Sequence, residues 1–175
     1  MDIQIDSREK AKAIQKIKKS FEQGGVNYFF SKLMVGDYMN LDNPRLIIDR
    51  KQNLQELYGN VCHQHERFKK ELIKAMQAHI QLVILVEHGS DVKCLEDVYF
   101  FYQPEMERFR YVTRTIDGKQ IKTREKYIQK EIKGTSLFRS LCTIRDRYNA
   151  QFEFCNKKDT GKRIMEILAD GQRDN

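Results

Sequence analysis

Tryptophan is absent from the sequence, proline occurs twice and glycine nine times in 175 residues. With so few chain breakers there is no low-complexity linker at which to divide the chain and no internal repeat, so a single domain is expected. The four cysteines, Cys62, Cys94, Cys142 and Cys155, lie far apart and form no C-x-x-C pair. That spacing excludes a disulfide framework and points to reduced thiols. No apolar run reaches bilayer length and no secretory pattern opens the chain, so a non-secreted, cytoplasmic protein with no membrane partner is expected. Acidic residues are in deficit, 25 Asp and Glu against 32 Lys and Arg, giving a formal charge of +7. A chain of this sign attracts polyanions. With 40% hydrophobic and 33% charged residues it is globular rather than disordered, and long enough to bury a core.

The most informative stretch is 35–57, VGDYMNLDNPRLIIDRKQNLQEL. Leu46, Ile47 and Ile48 read as a short buried strand, and it ends in three charges, Asp49, Arg50 and Lys51. On an extended chain Asp49 and Lys51 share a face and Arg50 takes the other. Asp37 follows Gly36 at a tight turn into the strand YMNL, and Asn43-Pro44 is expected to turn that strand back into Leu46–Ile48. Two antiparallel neighbours would bring Asp37 to Asp49. Converging carboxylates suit a hard divalent cation, and a lysine beside it can hold the attacking water against a phosphate.

Along the chain, Ile3 and Ile5 alternate with polar residues as a first strand ending at Asp6. Ser7 is the expected cap of a helix carrying Ala11, Ile14, Ile17 and Phe21 until Gly24-Gly25 stops it. The lysines of its other face read as solvated surface. A strand over 26–33 follows. Arg8 and Glu9 either support the site or form a salt-bridged first turn. Asn53 should cap a short helix through Tyr58, interrupted at Gly59, and a longer helix should turn Phe68, Leu72, Ala75 and Met76 to the core. Glu71 on that helix reads as a surface charge. Cys62, His63 and His65 lack the second ligand pair that structural zinc requires. Leu82 to Val86 form a continuous apolar run expected of a central strand. Residues 104–134 hold nine Lys or Arg and five Asp or Glu, interleaved with Phe109, Tyr111 and Tyr127. Basic side chains there would neutralise phosphates and the aromatics would stack on bases. RYVTRTI and KQIKTR flank Asp117-Gly118, which predicts a β-hairpin arm able to grip DNA or a second subunit. A helix over 136–148, a strand over 151–155 and a helix over 159–169, capped by Asp159 or Thr160 and ended at Gly171, close the chain.

Taken together, D-S-R-E at 6–9, G-D at 36–37, D-R-K at 49–51, HERFKKEL, LVILVEH and the closing GTSLFRSLCTIRDRYNAQFEFCNKKDTGKRIMEIL resemble the XPF-type structure-specific endonucleases in the right order. The match leaves out about 98–133, a basic insertion, and no helix-hairpin-helix domain is expected within 1–175. Where the family usually has Glu in its E-R-K motif, this chain has Asp49. Where the family has Asp four residues after the Lys, it has Gln55, followed by Glu56. The resemblance implies an α/β, restriction-endonuclease-like fold, a mixed central sheet flanked by helices. It implies a metal-dependent DNA endonuclease acting on branched or flapped DNA, located wherever DNA is, with dimerisation or a partner subunit through the C-terminal helices. Asp37 and Asp49 would ligate Mg²⁺ or Mn²⁺, with the Arg50 carbonyl as a third ligand, and Lys51 would position water. Asp6 would complete the catalytic acidic cluster through a second metal or a water, and Arg8, Glu9, Arg50 and Arg67 would support the site or bind DNA. The alternative is a non-catalytic DNA-binding subunit of a nuclease complex.

Overall fold

The computed structural model of the chain describes residues 1–89, 91–116 and 118–170. The alternating isoleucines give β1 (Asp2–Asp6), with Ile3 and Ile5 buried. Next come α1 (Gln15–Gln23), β2 (Asn27–Ser31), β3 (Tyr38–Asn40), β4 (Asn43–Lys51), α2 (Leu54–Cys62), α3 (His65–Gln77) and β5 (Gln81–Glu87). The second half holds a 3-10 turn (Glu96–Phe100), β6 (Tyr102–Gln103), β7 (Met106–Ile116), β8 (Lys119–Gln129) and β9 (Ile132–Lys133). It closes with α4 (Gly134–Tyr148), β10 (Gln151–Cys155) and α5 (Thr160–Asp170).

Six strands form one mixed sheet in the order β10-β5-β4-β3-β1-β2. β4, β5 and β10 are parallel, β3 is antiparallel to β4 and β1, and β2 is parallel to β1. Parallel neighbours need crossovers, which the helices supply, and so β5 is buried on both faces. Strand parity then sorts the core. Ile47, Leu82, Ile84 and Val86 face a layer built from α2, α3 and α4, while Ile48, Val83 and Leu85 join Ile3, Ile5 and Tyr38 under α1 and α5. Each such buried aliphatic side chain contributes roughly 1.5–3 kcal/mol. The result is the single α/β domain, a mixed sheet between helical layers, that the sequence predicts. The same parity puts Asp49 and Lys51 on the α3 side of the sheet and Arg50 on the α1 side.

Four local expectations fail for identifiable reasons. The first helix begins at Gln15, with no side-chain cap, rather than at Ser7. The Asp6 carboxylate accepts the Arg8 backbone N–H at 2.7 Å, a side-chain turn that competes with helix nucleation. The β3–β4 turn falls at Leu41-Asp42, where Asn40 Oδ1 accepts from Asp42 N, and not at Asn43-Pro44. Register slips between Met39 and Asn40, so Pro44 lies in the irregular part of the ladder where its missing N–H does no harm. Helix α2 runs through Gly59, since one further turn buries Val61 beside Leu54 and Leu57 and offsets the roughly 1 kcal/mol that a helical Gly costs. Met76 points to solvent, and the α3 core stripe is Phe68, Leu72 and Ala75. The predicted arm forms as β7 paired with β8 from Met106↔Gln129 to Ile116↔Lys119. Asp117 and Gly171 lie outside the described residues.

Candidate active site

The site forms where β1, β3 and β4 end together. Asp37 N donates to Ile48 O at 2.7 Å and Asp37 O accepts from Asp6 N at 2.8 Å, so its backbone ties both neighbouring strands. Extending the pairing Tyr38↔Ile48 by one residue sets Asp37 across from Asp49. The turn that delivers Asp37 requires glycine. Gly36 has φ +66°, and a Cβ there would lie 2.6 Å from Ile47 Cγ2 and 2.9 Å from Ile48 O. Its N–H donates to Glu71 Oε1 at 3.1 Å.

Asp37 Oδ2 accepts the Arg50 backbone N–H at 2.8 Å. Burial first, then the charges of Asp49 and Glu9, push the Asp37 carboxyl well above its usual range. Lys51 Nζ lies 2.7 Å from Asp49 Oδ1 and 2.6 Å from Oδ2, and only Oδ1 accepts in hydrogen-bonding geometry. The ammonium also stands 5.4 Å from the centre of the Phe68 ring. Burial works against the Lys51 charge, yet the paired Asp49, with Asp37 and Glu71 behind it, holds its pKa above the ordinary lysine value. Lys51 is therefore an ammonium at neutral pH.

On the other face of β4, Arg50 donates to Glu87 Oε1 at 2.7 Å and to Glu9 Oε2 at 2.9 Å. Tyr38 Oη donates to the same Glu9 oxygen at 3.2 Å. Arg50 thus braces the end of its strand from beneath the site. Asp6 is buried, and both its oxygens are engaged by Arg8 and by Leu33 N at 2.7–2.8 Å. Burial opposes its ionisation, but the bonds from Arg8 and Leu33 hold its carboxyl below the usual range. The exposed Arg8 guanidinium is thereby fixed at the rim.

These groups open into a cleft of about 500 Å³, with Asp37, Asp49 and Lys51 in its lining and Arg8, Glu56, Arg67 and Glu71 around them. Of the residues singled out in the sequence, Asp37, Asp49, Arg50, Lys51, Arg8, Glu9 and Arg67 line one cavity. Asp6 does not line it and reaches it through Arg8. The Arg67 side chain makes no ion pair or hydrogen bond among the described residues. Glu71, expected as a surface charge, is half-buried and holds the Gly36 turn. Glu87 was also missed, although a carboxylate ending a core strand is the signal that marks Asp49. Asn53 Oδ1 caps α2 by accepting from Glu56 N, and Glu56 Oε2 reaches back to accept from Gln52 N. Gln55 points elsewhere, its Oε1 accepting from Gln103 in β6 and Gln129 at the end of β8.

Comparison with solved structures shows the fold. XPF from Aeropyrum pernix superposes with a TM-score of 0.63 at 16% identity, over 99% of this chain and 66% of that one. XPF from Aeropyrum pernix in complex with DNA gives 0.61 at 14% identity, over 98% of this chain and 65% of that one. The chain thus spans slightly under two thirds of those proteins. No curated protein matches it. The ERCC4 domain matches residues 5–162, which include the end of β1, the Asp37 turn, the charged end of β4 and the start of α5, and the chain belongs to the ERCC4 domain family.

Proposed function

We propose that the chain is a divalent-metal-dependent endonuclease that hydrolyses phosphodiester bonds in DNA, with branched or flapped duplexes as substrates. One observation carries the reading: Asp37 and Asp49 stand opposite each other at the end of the β3–β4 ladder, beside a paired Lys51, in an open cleft rimmed by Arg8 and Arg67. The fold shared with XPF in complex with DNA supports DNA as the polymer, and the branched substrate is taken from the resemblance of the motifs at 6–9, 36–37 and 49–51.

The donor set fits Mg²⁺ or Mn²⁺. Among the described residues no three metal-ligating side chains converge, which disfavours a structural zinc site, whereas hard cations bind through one or two carboxylates and keep several waters. Asp49 Oδ2 is buried without a hydrogen bond, and Asp37 uses only Oδ2, leaving Oδ1 for a ligand. Asp37 and Asp49 would hold the ion, with the Arg50 carbonyl completing the protein ligands. Such an ion supplies Lewis-acid stabilisation of phosphate charge and a more acidic water. Lys51, held by Asp49, orients the attacking water and offsets charge building on the phosphate oxygens. Arg50 and Glu9 keep the strand end rigid beneath them. Arg8, fixed by Asp6, and Arg67 hold backbone phosphates at the rim of the cleft.

A labelled flap or fork incubated with Mg²⁺ or Mn²⁺ tests the reading. Wild type cuts; Lys51→Ala and Asp49→Ala lose about two to three orders of magnitude in rate, with DNA affinity within a few-fold. Binding without cutting by wild type, unchanged in Asp49→Ala, is the behaviour of a non-catalytic subunit and overturns the proposal.

A further inference from the structure

The β7–β8 ribbon has no core of its own. Every residue along both strands is exposed or half-exposed, and an isolated two-stranded hairpin is marginally stable in water. Eleven paired residues a strand make it about 35 Å long. Its charges are not evenly spread. On the face that carries Phe109 and Tyr111, Lys126 is paired with Glu107, but Lys122 and Arg124 have no acidic partner among the described residues. Instead the Arg124 guanidinium lies 3.9 Å from the centre of the Phe109 ring and the Lys122 ammonium 5.2 Å from that of Tyr111. Each cation leans diagonally across the ladder from its own partner, Tyr111 for Arg124 and Thr113 for Lys122, onto the next ring. Both rings stay largely exposed, Phe109 at 54% and Tyr111 at 67%, with a cation resting against each. What they provide is a rest that holds two long cationic side chains extended, so less side-chain freedom is lost when an anion arrives.

The base of the ribbon is fixed beside the cleft. Gln55 Oε1 accepts from Gln103 Nε2 at 3.1 Å and from Gln129 Nε2 at 3.0 Å, tying the start of the insertion and the end of β8 to the first turn of α2. The next residue, Glu56, lines the cleft. An arm rooted there extends from the edge of the site.

We propose that the β7–β8 ribbon is a phosphate-gripping arm that holds the nucleic-acid backbone beside the cleft through Lys122 and Arg124, each propped on an aromatic ring. The inference rests on the nuclease reading only in taking DNA as the polymer. Contacts of this kind are independent of base sequence and release counterions on binding. A two-stranded ribbon also has the width to enter a major groove.

The test measures affinity by fluorescence anisotropy for a labelled 30-base-pair duplex and a single strand of equal length, in EDTA, across a salt series. Lys122→Ala/Arg124→Ala in the full chain is expected to bind the duplex at least about fivefold more weakly, with the slope of log affinity against log salt reduced by about two. Lys16→Ala/Lys19→Ala, which removes the same charge from exposed positions on α1, controls for net charge and leaves the slope unchanged. Lys122→Arg/Arg124→Lys restores binding, which separates a charge contact from misfolding. Unchanged affinity and slope in the alanine pair overturns the arm, as does an equal loss in the α1 control. A loss of self-association with DNA binding intact assigns the ribbon to a second copy of the chain and overturns it too. Failure of the nuclease reading shows separately, as absence of strand cutting by wild type at saturating protein with Mn²⁺.

Discussion

Arg50 offers the sharpest stability prediction. Its side chain is 1% exposed and is held by Glu87, 2% exposed, and Glu9, 16% exposed. Replacing it with methionine keeps much of the volume and removes both ion pairs, leaving Glu87 as a buried carboxylate without its main partner. Breaking a buried pair from one side costs about 3–5 kcal/mol. Glu87 keeps a hydrogen bond from Thr160 Oγ1 at 3.1 Å and has Lys157 Nζ at 3.7 Å, and Glu9 can turn to solvent. The loss for Arg50→Met is therefore placed at the lower end, about 3 kcal/mol, which for a chain of this size is a fall in Tm of roughly 6–12 °C. Urea unfolding without metal, with the denaturant slope unchanged, reads it directly. Arg50→Met/Glu87→Leu removes both charges of the deeper pair and recovers part of the loss. A single-variant cost below about 1 kcal/mol, or a double variant as damaged as the sum of its parts, would refute the argument that Arg50 is a brace.

Gly36→Ala combines a left-handed φ with overlaps on Ile47 and Ile48 O, and is expected to cost about 2–4 kcal/mol in urea unfolding. Gly118→Ala, at φ +74° with open space around it, costs about 1 kcal/mol; equal losses at the two sites would remove the packing argument. Asp6, with its folded pKa depressed, contributes stability that is present above the unfolded value and lost as pH falls through the folded one. The stability gap between wild type and Asp6→Ala should be flat above about pH 5 and close on further acidification; a gap that widens in acid contradicts the Arg8 pairing. Mn²⁺ at a hundredfold excess over its dissociation constant should stabilise wild type by about 2.7 kcal/mol, read as a rise in Tm, and should not stabilise Asp37→Asn. An equal rise in both proteins places the ion elsewhere.

Features set by neighbours in sequence were legible before the structure. The apolar run Leu46–Ile48 ending in Asp49-Arg50-Lys51 announced a core strand with charges at its end, and period-two alternation assigned Arg50 to the face opposite Asp49 and Lys51. The arm was legible from the two flanking β-rich segments. What stayed hidden depends on contacts distant along the chain. Glu71 looks like any helical surface charge until Gly36, 35 residues away, presents an N–H to it. Gln55 carries no sequence signal of its role, and only the arrival of Gln103 and Gln129 shows it as an anchor for the base of the β7–β8 ribbon. The late start of α1 has the same origin, since Asp6 turns the backbone at Arg8 while also bonding Leu33.

The division of charge around the cleft leaves one carboxylate poorly compensated, which is what the proposed cation would offset. Of the two buried cations, Arg50 is committed below the sheet end to Glu9 and Glu87, and Lys51 is committed to Asp49. Asp6 takes Arg8. Asp37 is left with a single backbone N–H and with the negative charges of Asp49 and Glu9 nearby, so its ionised form is the least compensated of the set. Mutating Lys51 would worsen that imbalance, because Asp49 would join Asp37 without a counter-charge. Asp37 and Asp49 would hold a divalent ion whose charge offsets that imbalance, with Lys51 kept beside them by Asp49. The same pairing that keeps Lys51 charged thus holds its ammonium at the cleft wall beside the two carboxylates.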